Sequence, residues 1–252
     1  MDNKDSVREQ FGIHAKHYIN SKPHAKGASL NRLVEVVKPQ KHWQMLDIAT
    51  ATGHTAMTFA PFVDQVIASD ITPEMLPLAD EQAQKRGLEN VTTEIADAES
   101  LPYENDRFDL VTCRIAPHHF PNVDQFLSES ARVLKSGGIF ALVDNVVPEG
   151  PDGTYANDFE KLRDPSHHRC LSLAEWLAGF EQVNLTVLHQ EILDKEMEFA
   201  SWAGRHDEAM QQRLRTLLLE APEGAKRFFQ PHDKEGGLYF RLEEALIVGK
   251  LT

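Results

Sequence analysis

The feature that most restricts what this chain can fold into is a regular alternation of apolar runs and helical stretches from Trp43 to Val147. "WQMLDIA" is a continuous apolar strand, "HTAMTFAPF" a short helix stopped near Pro61, and "QVIASD" a second strand. "TPEMLPLADEQAQKRG" reads as a helix with Thr72 as N-cap, Pro73 at its first position and Gly87 past its end. "VTTEIADA" and "FDLVTCRIA" give a third and a fourth strand. "VDQFLSESARVL" sets Val123, Phe126, Leu127, Ala131 and Leu134 at helical spacing, and "KSGG" turns into a fifth strand, "IFALVDNVV". Strands joined by helices require right-handed crossovers, so the expected fold is α/β, a parallel sheet covered on both faces.

Flanking segments break that rhythm. Ahead of it, "SLNRLVEVV" places Leu30, Leu33, Val34 and Val37 on one helical face that Pro39 ends. Beyond Pro148, "DGTYANDFEKLRDPSHHRCLSLAEWLAGF" looks helical and polar, and "NLTVLHQEILDKEM" looks like a strand. A charged helical stretch, roughly Phe199 to Phe229, precedes a final strand, "GGLYFRLEEALIVGKL". The two last strands suit a hairpin-like edge, with the intervening helices standing over the sheet as a lid or as ordinary surface helices.

Charge and cysteine content narrow the function. The net charge of −13 and the lack of a basic run argue against nucleic acid, whose binding rests on Lys and Arg neutralising phosphates. Cys113 and Cys170 lack metal-type spacing, and two thiols make no disulfide framework, which suits a reducing compartment. The opening "MDNKDSVREQ" is not of signal-peptide type, and no run approaches the roughly 20 apolar residues that cross a bilayer. A cytoplasmic protein without a membrane span is expected.

The first strand runs into "ATATGHT", where small residues at 49, 51 and 53 give small-x-small-x-Gly. That register fails the dinucleotide pattern and carries no Walker lysine. In doubly wound sheets, ligands bind outside the carboxyl ends of the strands, where small side chains admit a ligand to the backbone. Alanine forbids only positive φ, so Ala49 and Ala51 are expected in ordinary backbone regions and Gly53 at the one position needing an unusual φ or close approach. Asp70 ends the second strand, where a carboxylate can accept from two ribose hydroxyls. The alternative, a cap for the next helix, is already filled by Thr72. Asp97, beside Ala98 at the third strand's end, can accept from an adenine amino group or be a plain turn aspartate.

"LDIATATGHTA", "VIASDITPEML", "ADAESLPYENDRFDLVTCRIAPHHF" and "ARVLKSGGIFALVD" together resemble the class I S-adenosylmethionine-dependent methyltransferases, in particular the small-molecule group related to ubiquinone/menaquinone-biosynthesis C-methyltransferases. The resemblance spans roughly residues 43 to 148. It implies a Rossmann-like, mostly parallel seven-stranded sheet with an antiparallel edge strand and helical lid insertions. It implies one domain: an N-terminal lid over residues 1–40, a cofactor-binding core over 41–148, and substrate-side helices and final strands over 149–252. The implied cofactor is S-adenosylmethionine and the implied partner a small-molecule substrate. Asp47 through Gly53, with Ala49, Thr50 and Ala51 among them, would hold its methionine part, Asp70 the ribose, and Asp97 with Ala98 the adenine edge; His54, Thr55 and Ile71 would also bind the cofactor. Met75 would pack on the adenosine, and Arg114, Ile115 and His119 would line the cofactor. Tyr18, His24 and Gly27 would fold over it. The family normally has glycine at positions 49 and 51. A non-catalytic binding module with an eroded loop, or a nicotinamide oxidoreductase, are the alternatives.

Methyl transfer needs alignment, exclusion of water and, where the nucleophile carries a proton, a base. "APHHF" offers His118 as candidate base, with His119 beside it; neighbouring residues rarely point the same way, so at most one faces the substrate, and the alternative is that both are structural, one bonding the loop and one packing on the cofactor. His167 and His168 have no acid or thiol at ligand spacing, so no metal is expected. Phe159, Trp176, Phe199, Trp202, Phe228 and Phe229 either roof a small organic substrate or pack among themselves.

Overall fold

The structure, a computed structural model, describes Lys4, Arg8 and residues 28–252; Tyr18, His24 and Gly27 lie outside the described residues. The alternating segment forms β1 (Gln44–Ile48), α2 (His54–Phe59), β2 (Gln65–Asp70), α3 (Leu76–Lys85), β3 (Val91–Ile95), β4 (Phe108–Arg114), α4 (Val123–Val133) and β5 (Leu134–Val146), preceded by α1 (Ala28–Val37). There follow α5 (Pro151–Arg163), α6 (Leu173–Gln182), β6 (Leu185–Glu198), α7 (Phe199–Ala203), α8 (Glu208–Leu219), α9 (Glu223–Phe229), β7 (His232–Lys234) and β8 (Gly237–Leu251).

The strands join in the order β3-β2-β1-β4-β5-β8-β6, with the short β7 paired to β8. Pairings from β3 through β5 are parallel; β8 runs antiparallel to both β5 and β6. Side-chain alternation along β1 divides the core: Met45 packs on the α1 and α2 side with Leu33, Phe59 and Val66, whereas Leu46 and Ile48 face Phe126, Phe140, Trp176 and Phe180 under α4 and α6. The order changes direction between β1 and β4, which opens a crevice at the carboxyl ends of these strands.

Val146, the last residue of β5, pairs with Glu243, so residues 237–242 of β8 run past the end of β5 and pair only with β6 and β7. There Leu238, Phe240 and Leu242 anchor a separate core made with Phe159, Trp202, Leu214, Leu218 and Phe229 from α5 and α7–α9.

The third helix departs from expectation. It begins at Leu76, with Pro77 in its first turn, because residues 72–75 form a turn in which the Met75 N–H donates to the Thr72 carbonyl at 3.1 Å. Thr72 therefore caps no helix and Pro73 stands ahead of it.

Candidate functional site

The loop leaving β1 contradicts the expectation of ordinary backbone. Ala49 has φ 53° and Ala51 φ 49°, both left-handed, alternating toward Gly53 at φ 84°. The tight turn aims consecutive N–H groups at β2: Thr50 donates to the Ser69 carbonyl at 2.9 Å, and Ala51 to Asp70 Oδ2 at 2.8 Å. Left-handed backbone costs an L-residue with a Cβ roughly 1–2 kcal/mol. Gly53 meets its expectation: a Cβ there would lie 2.6 Å from Met57 Cε and 3.3 Å from Ala79 Cβ. Across the crevice Ile115, after β4, is also left-handed at φ 54°, an outlier for a β-branched residue. Such strain persists only where surrounding structure over-determines it, as at binding sites.

Asp47 is buried at β1's end. Its Oδ1 accepts from Thr112 Oγ1 at 2.6 Å, and its Oδ2 accepts from Thr50 Oγ1 at 2.6 Å and the Ala56 N–H at 3.2 Å. Burial pushes its carboxyl up to about 6 against these donors. Asp70 uses both oxygens on backbone: Oδ2 holds Ala51 and Oδ1 accepts from the Thr72 N–H at 2.8 Å. It thus serves the turn that Thr72 was expected to cap. Burial raises its pKa, opposed by those same N–H groups. The Thr72 hydroxyl and the Ile71 N–H also bond this carboxylate.

Asp47, Ala49, Thr50, Ala51, His54, Thr55, Asp70, Ile71, Met75, Arg114, Ile115 and His119 line one hollow at the ends of β1, β2 and β4. Asp97 and Ala98 line an adjoining hollow that shares Ala49, Ile71, His119 and Phe120 with the first; Gly53 shapes the loop from behind. Thr52, Thr72, Ala116 and Phe120 line the first hollow too; Thr52 falls inside the 47–53 segment expected to hold the cofactor, whereas Thr72, read as a helix cap, Ala116 and Phe120 were not expected at the site although they lie inside the motifs quoted for it. The Thr52 hydroxyl is buried and has no hydrogen-bond partner among the described residues, as a group awaiting a ligand would be. Arg114 is buried beside Asp47; its Nε donates to Thr55 Oγ1 at 3.2 Å, and burial lowers its pKa.

The paired histidines diverge. His119 faces the hollow, and its Nδ1 meets the Ser166 carbonyl at 3.0 Å. A carbonyl only accepts, so Nδ1 carries the proton and Nε2 is unprotonated. Burial, aided by His118, lowers the His119 pKa to about 3. His118 lies behind it, ring centroids 4.2 Å apart, with Nδ1 2.6 Å from buried Asp144 Oδ1. Burial opposes its charge, but Asp144 more than offsets that and raises its pKa. His167 Nε2 bonds Asn157 Oδ1 at 2.9 Å. Among the described residues no group of three or more metal-type side chains converges.

Phe159, Phe199, Trp202, Phe228 and Phe229 are buried in the core over β8, and Trp176 packs under the sheet. Phe159 stacks on Trp202 at 4.9 Å. These aromatics pack against one another and the sheet, and line neither hollow.

Comparisons with known proteins agree with this architecture. A family model described as a methyltransferase domain matches residues 39–218. The Bacillus subtilis methyltransferase YcgJ is 39% identical over 196 residues, covering 77% of this chain and 78% of its own. Its crystal structure superposes with TM-score 0.82 at 36% identity, covering 88% and 97%. A Bacillus halodurans crystal structure superposes with TM-score 0.85 at 35% identity, covering 90% and 100%. The Bartonella tribocorum ubiquinone/menaquinone biosynthesis C-methyltransferase UbiE is 36% identical over 116 residues, 44% of this chain and 45% of its own.

Proposed function

Because this chain belongs to the methyltransferase-domain family, we propose that it is an S-adenosylmethionine-dependent enzyme that transfers a methyl group to a small organic molecule. The observation that carries this reading is the hollow in which Asp47, Asp70 and Arg114 surround a strained loop with an unpartnered, buried Thr52 hydroxyl. Those residues fit such a cofactor. Asp47 and Arg114 offer opposite charges to an amino-acid end, and the Asp70 carboxylate lines the hollow where a vicinal diol would sit. Met75, Ile71 and Phe120 supply apolar walls, and Asp97 accepts from an exocyclic amine. When bound, the cofactor supplies an electrophilic methyl on a sulfonium.

The chain's own contribution is placement and dryness. Buried walls exclude water, and alignment of an acceptor is worth roughly 7–11 kcal/mol of barrier. His119 lines the hollow as a neutral imidazole and would contact the substrate without titrating near neutral pH. His118, held in one tautomer by Asp144, is the basic member of the pair; it lines neither hollow, so the proton-accepting role proposed for it requires the proton to pass by way of His119. A cytoplasmic enzyme follows from this reading; among the described residues no helix is long and apolar enough to cross a membrane.

The strain at Ala49 and Ala51 favours one rival, a module that binds the cofactor without turning it over. Isothermal titration with S-adenosylmethionine and S-adenosylhomocysteine tests the leading reading: micromolar binding supports it, and no heat at millimolar ligand overturns it. Binding with no methyl transfer across a broad acceptor panel would favour the rival.

A further inference from the structure

We propose that Lys4 is a cofactor-recognition residue that reads the hydrogen-bonding edge of the adenine base together with Asp97. This deepens the reading above and rests on it. Lys4 Nζ lies 2.6 Å from Asp97 Oδ2 and 2.7 Å from Glu99 Oε2, and it lines the same hollow as Asp97 and Ala98. It comes from far away in sequence, 93 residues from Asp97, to the end of β3.

The ammonium is held in place. Glu99 Oε1 accepts the Asn122 N–H at 2.7 Å, so the carboxylate that holds Lys4 is itself anchored at the start of α4. Asp97 Oδ1 accepts the Glu99 N–H at 3.0 Å, which fixes the second carboxylate. An ammonium has three N–H donors, and two are spent on these acids. Among the described residues the third has no partner, and it stands at the hollow beside the Asp97 carboxylate. The pair therefore presents one acceptor beside one donor.

Adenine shows the complementary pattern, an exocyclic amine donor beside a ring-nitrogen acceptor. Hypoxanthine reverses it, with a carbonyl acceptor beside a ring N–H. Asp97 alone recognises only the amine; adding Lys4 makes the recognition two-pronged. Surface ion pairs contribute little to stability on their own, whereas paired contacts to a base edge discriminate strongly.

The test compares S-adenosylhomocysteine and S-inosylhomocysteine by isothermal titration on the full chain carrying Lys4→Met or Lys4→Arg. The expected result is that Lys4→Met weakens the adenosyl ligand by about tenfold and leaves the inosyl ligand unchanged or tighter, while Lys4→Arg stays within about threefold. Equal weakening of both ligands would mean that Lys4 only fastens the chain's beginning to β3, and would overturn the proposal. So would unchanged affinity for both. Failure of the unaltered protein to bind S-adenosylhomocysteine is a separate result, and it removes the cofactor reading itself.

Discussion

The Ala51 N–H donates to Asp70 Oδ2 across 2.8 Å, so the loop after β1 and the end of β2 are one hydrogen-bonded unit. The left-handed backbone of Ala49 and Ala51 is what brings that N–H to the carboxylate. The proposed ligand contacts and the backbone strain thus fall on the same few residues.

Relieving the strain is expected to stabilise the protein. Ala49→Gly and Ala51→Gly each remove a left-handed Cβ penalty that outweighs glycine's greater unfolded entropy, for a gain of about 0.5–1 kcal/mol. Urea unfolding with an unchanged slope reads it. A lower midpoint in both variants would mean that the alanine methyls carry packing that the strain argument omits.

Asp70→Asn leaves one acceptor oxygen for two backbone N–H groups. Stability is expected to fall by about 1–3 kcal/mol, and S-adenosylhomocysteine to bind about tenfold more weakly or worse. Calorimetry and urea melts on the same sample separate the two effects. Unchanged ligand affinity would remove Asp70 from the site.

Asp47 gives a pH signature. Its folded pKa of about 6 lies above the ordinary 3.8, chiefly through burial, so the folded state holds the proton more tightly than the unfolded chain. Stability therefore declines as pH rises from about 4 to 6, by up to about 3 kcal/mol from this group. Asp47→Asn costs stability of its own but is expected to lack that decline. Parallel slopes for the two proteins over this window would refute the assignment.

The Asp144–His118 pair titrates in the opposite sense. A histidine pKa raised by its acid partner contributes stability fully below 6.5, and that contribution fades as pH climbs through the folded value. Asp144→Asn is expected to lower the His118 pKa and free its Nδ1–H, both visible by imidazole NMR. His119 stays neutral down to about pH 4 in either protein, given its pKa of about 3. An unmoved His118 titration would show that Asp144 does not govern it.

Trp202→Ala opens the core over β8, where Trp202 stacks on Phe159. A loss of about 3–5 kcal/mol is expected, with S-adenosylhomocysteine affinity kept within about twofold because these rings line neither hollow. A large affinity loss at intact fold would restore a role for them as a roof.

The fold was legible because periodicity encodes it: "MLDI", "VIASD" and "FDLVTCR" are apolar runs that only a sheet covered on both faces can bury. The row of site residues was legible for a related reason, since strand ends place Asp47, Asp70 and Arg114 side by side. Backbone dihedrals were not. Nothing in "ATATG" announces that Ala49 and Ala51 accept positive φ, because tertiary hydrogen bonds to β2 impose it. Asp70's service to Thr72 was hidden because a threonine before a proline imitates a helix start. The His118–Asp144 contact joins residues 26 apart on neighbouring strand ends, a juxtaposition set by sheet order. Lys4 carried no local signal whatever.

β6 precedes β8 in the chain yet reaches the sheet only through it, since β8 alone bridges β5 and β6. During synthesis on a ribosome, β6 and the bare flank of β5 must both wait for β8 to emerge. Ala141, Leu142 and Val143, which later pair with Val248, Ile247 and Leu246, form an open seam in that interval, the segment where a nascent chain is most exposed to mispairing.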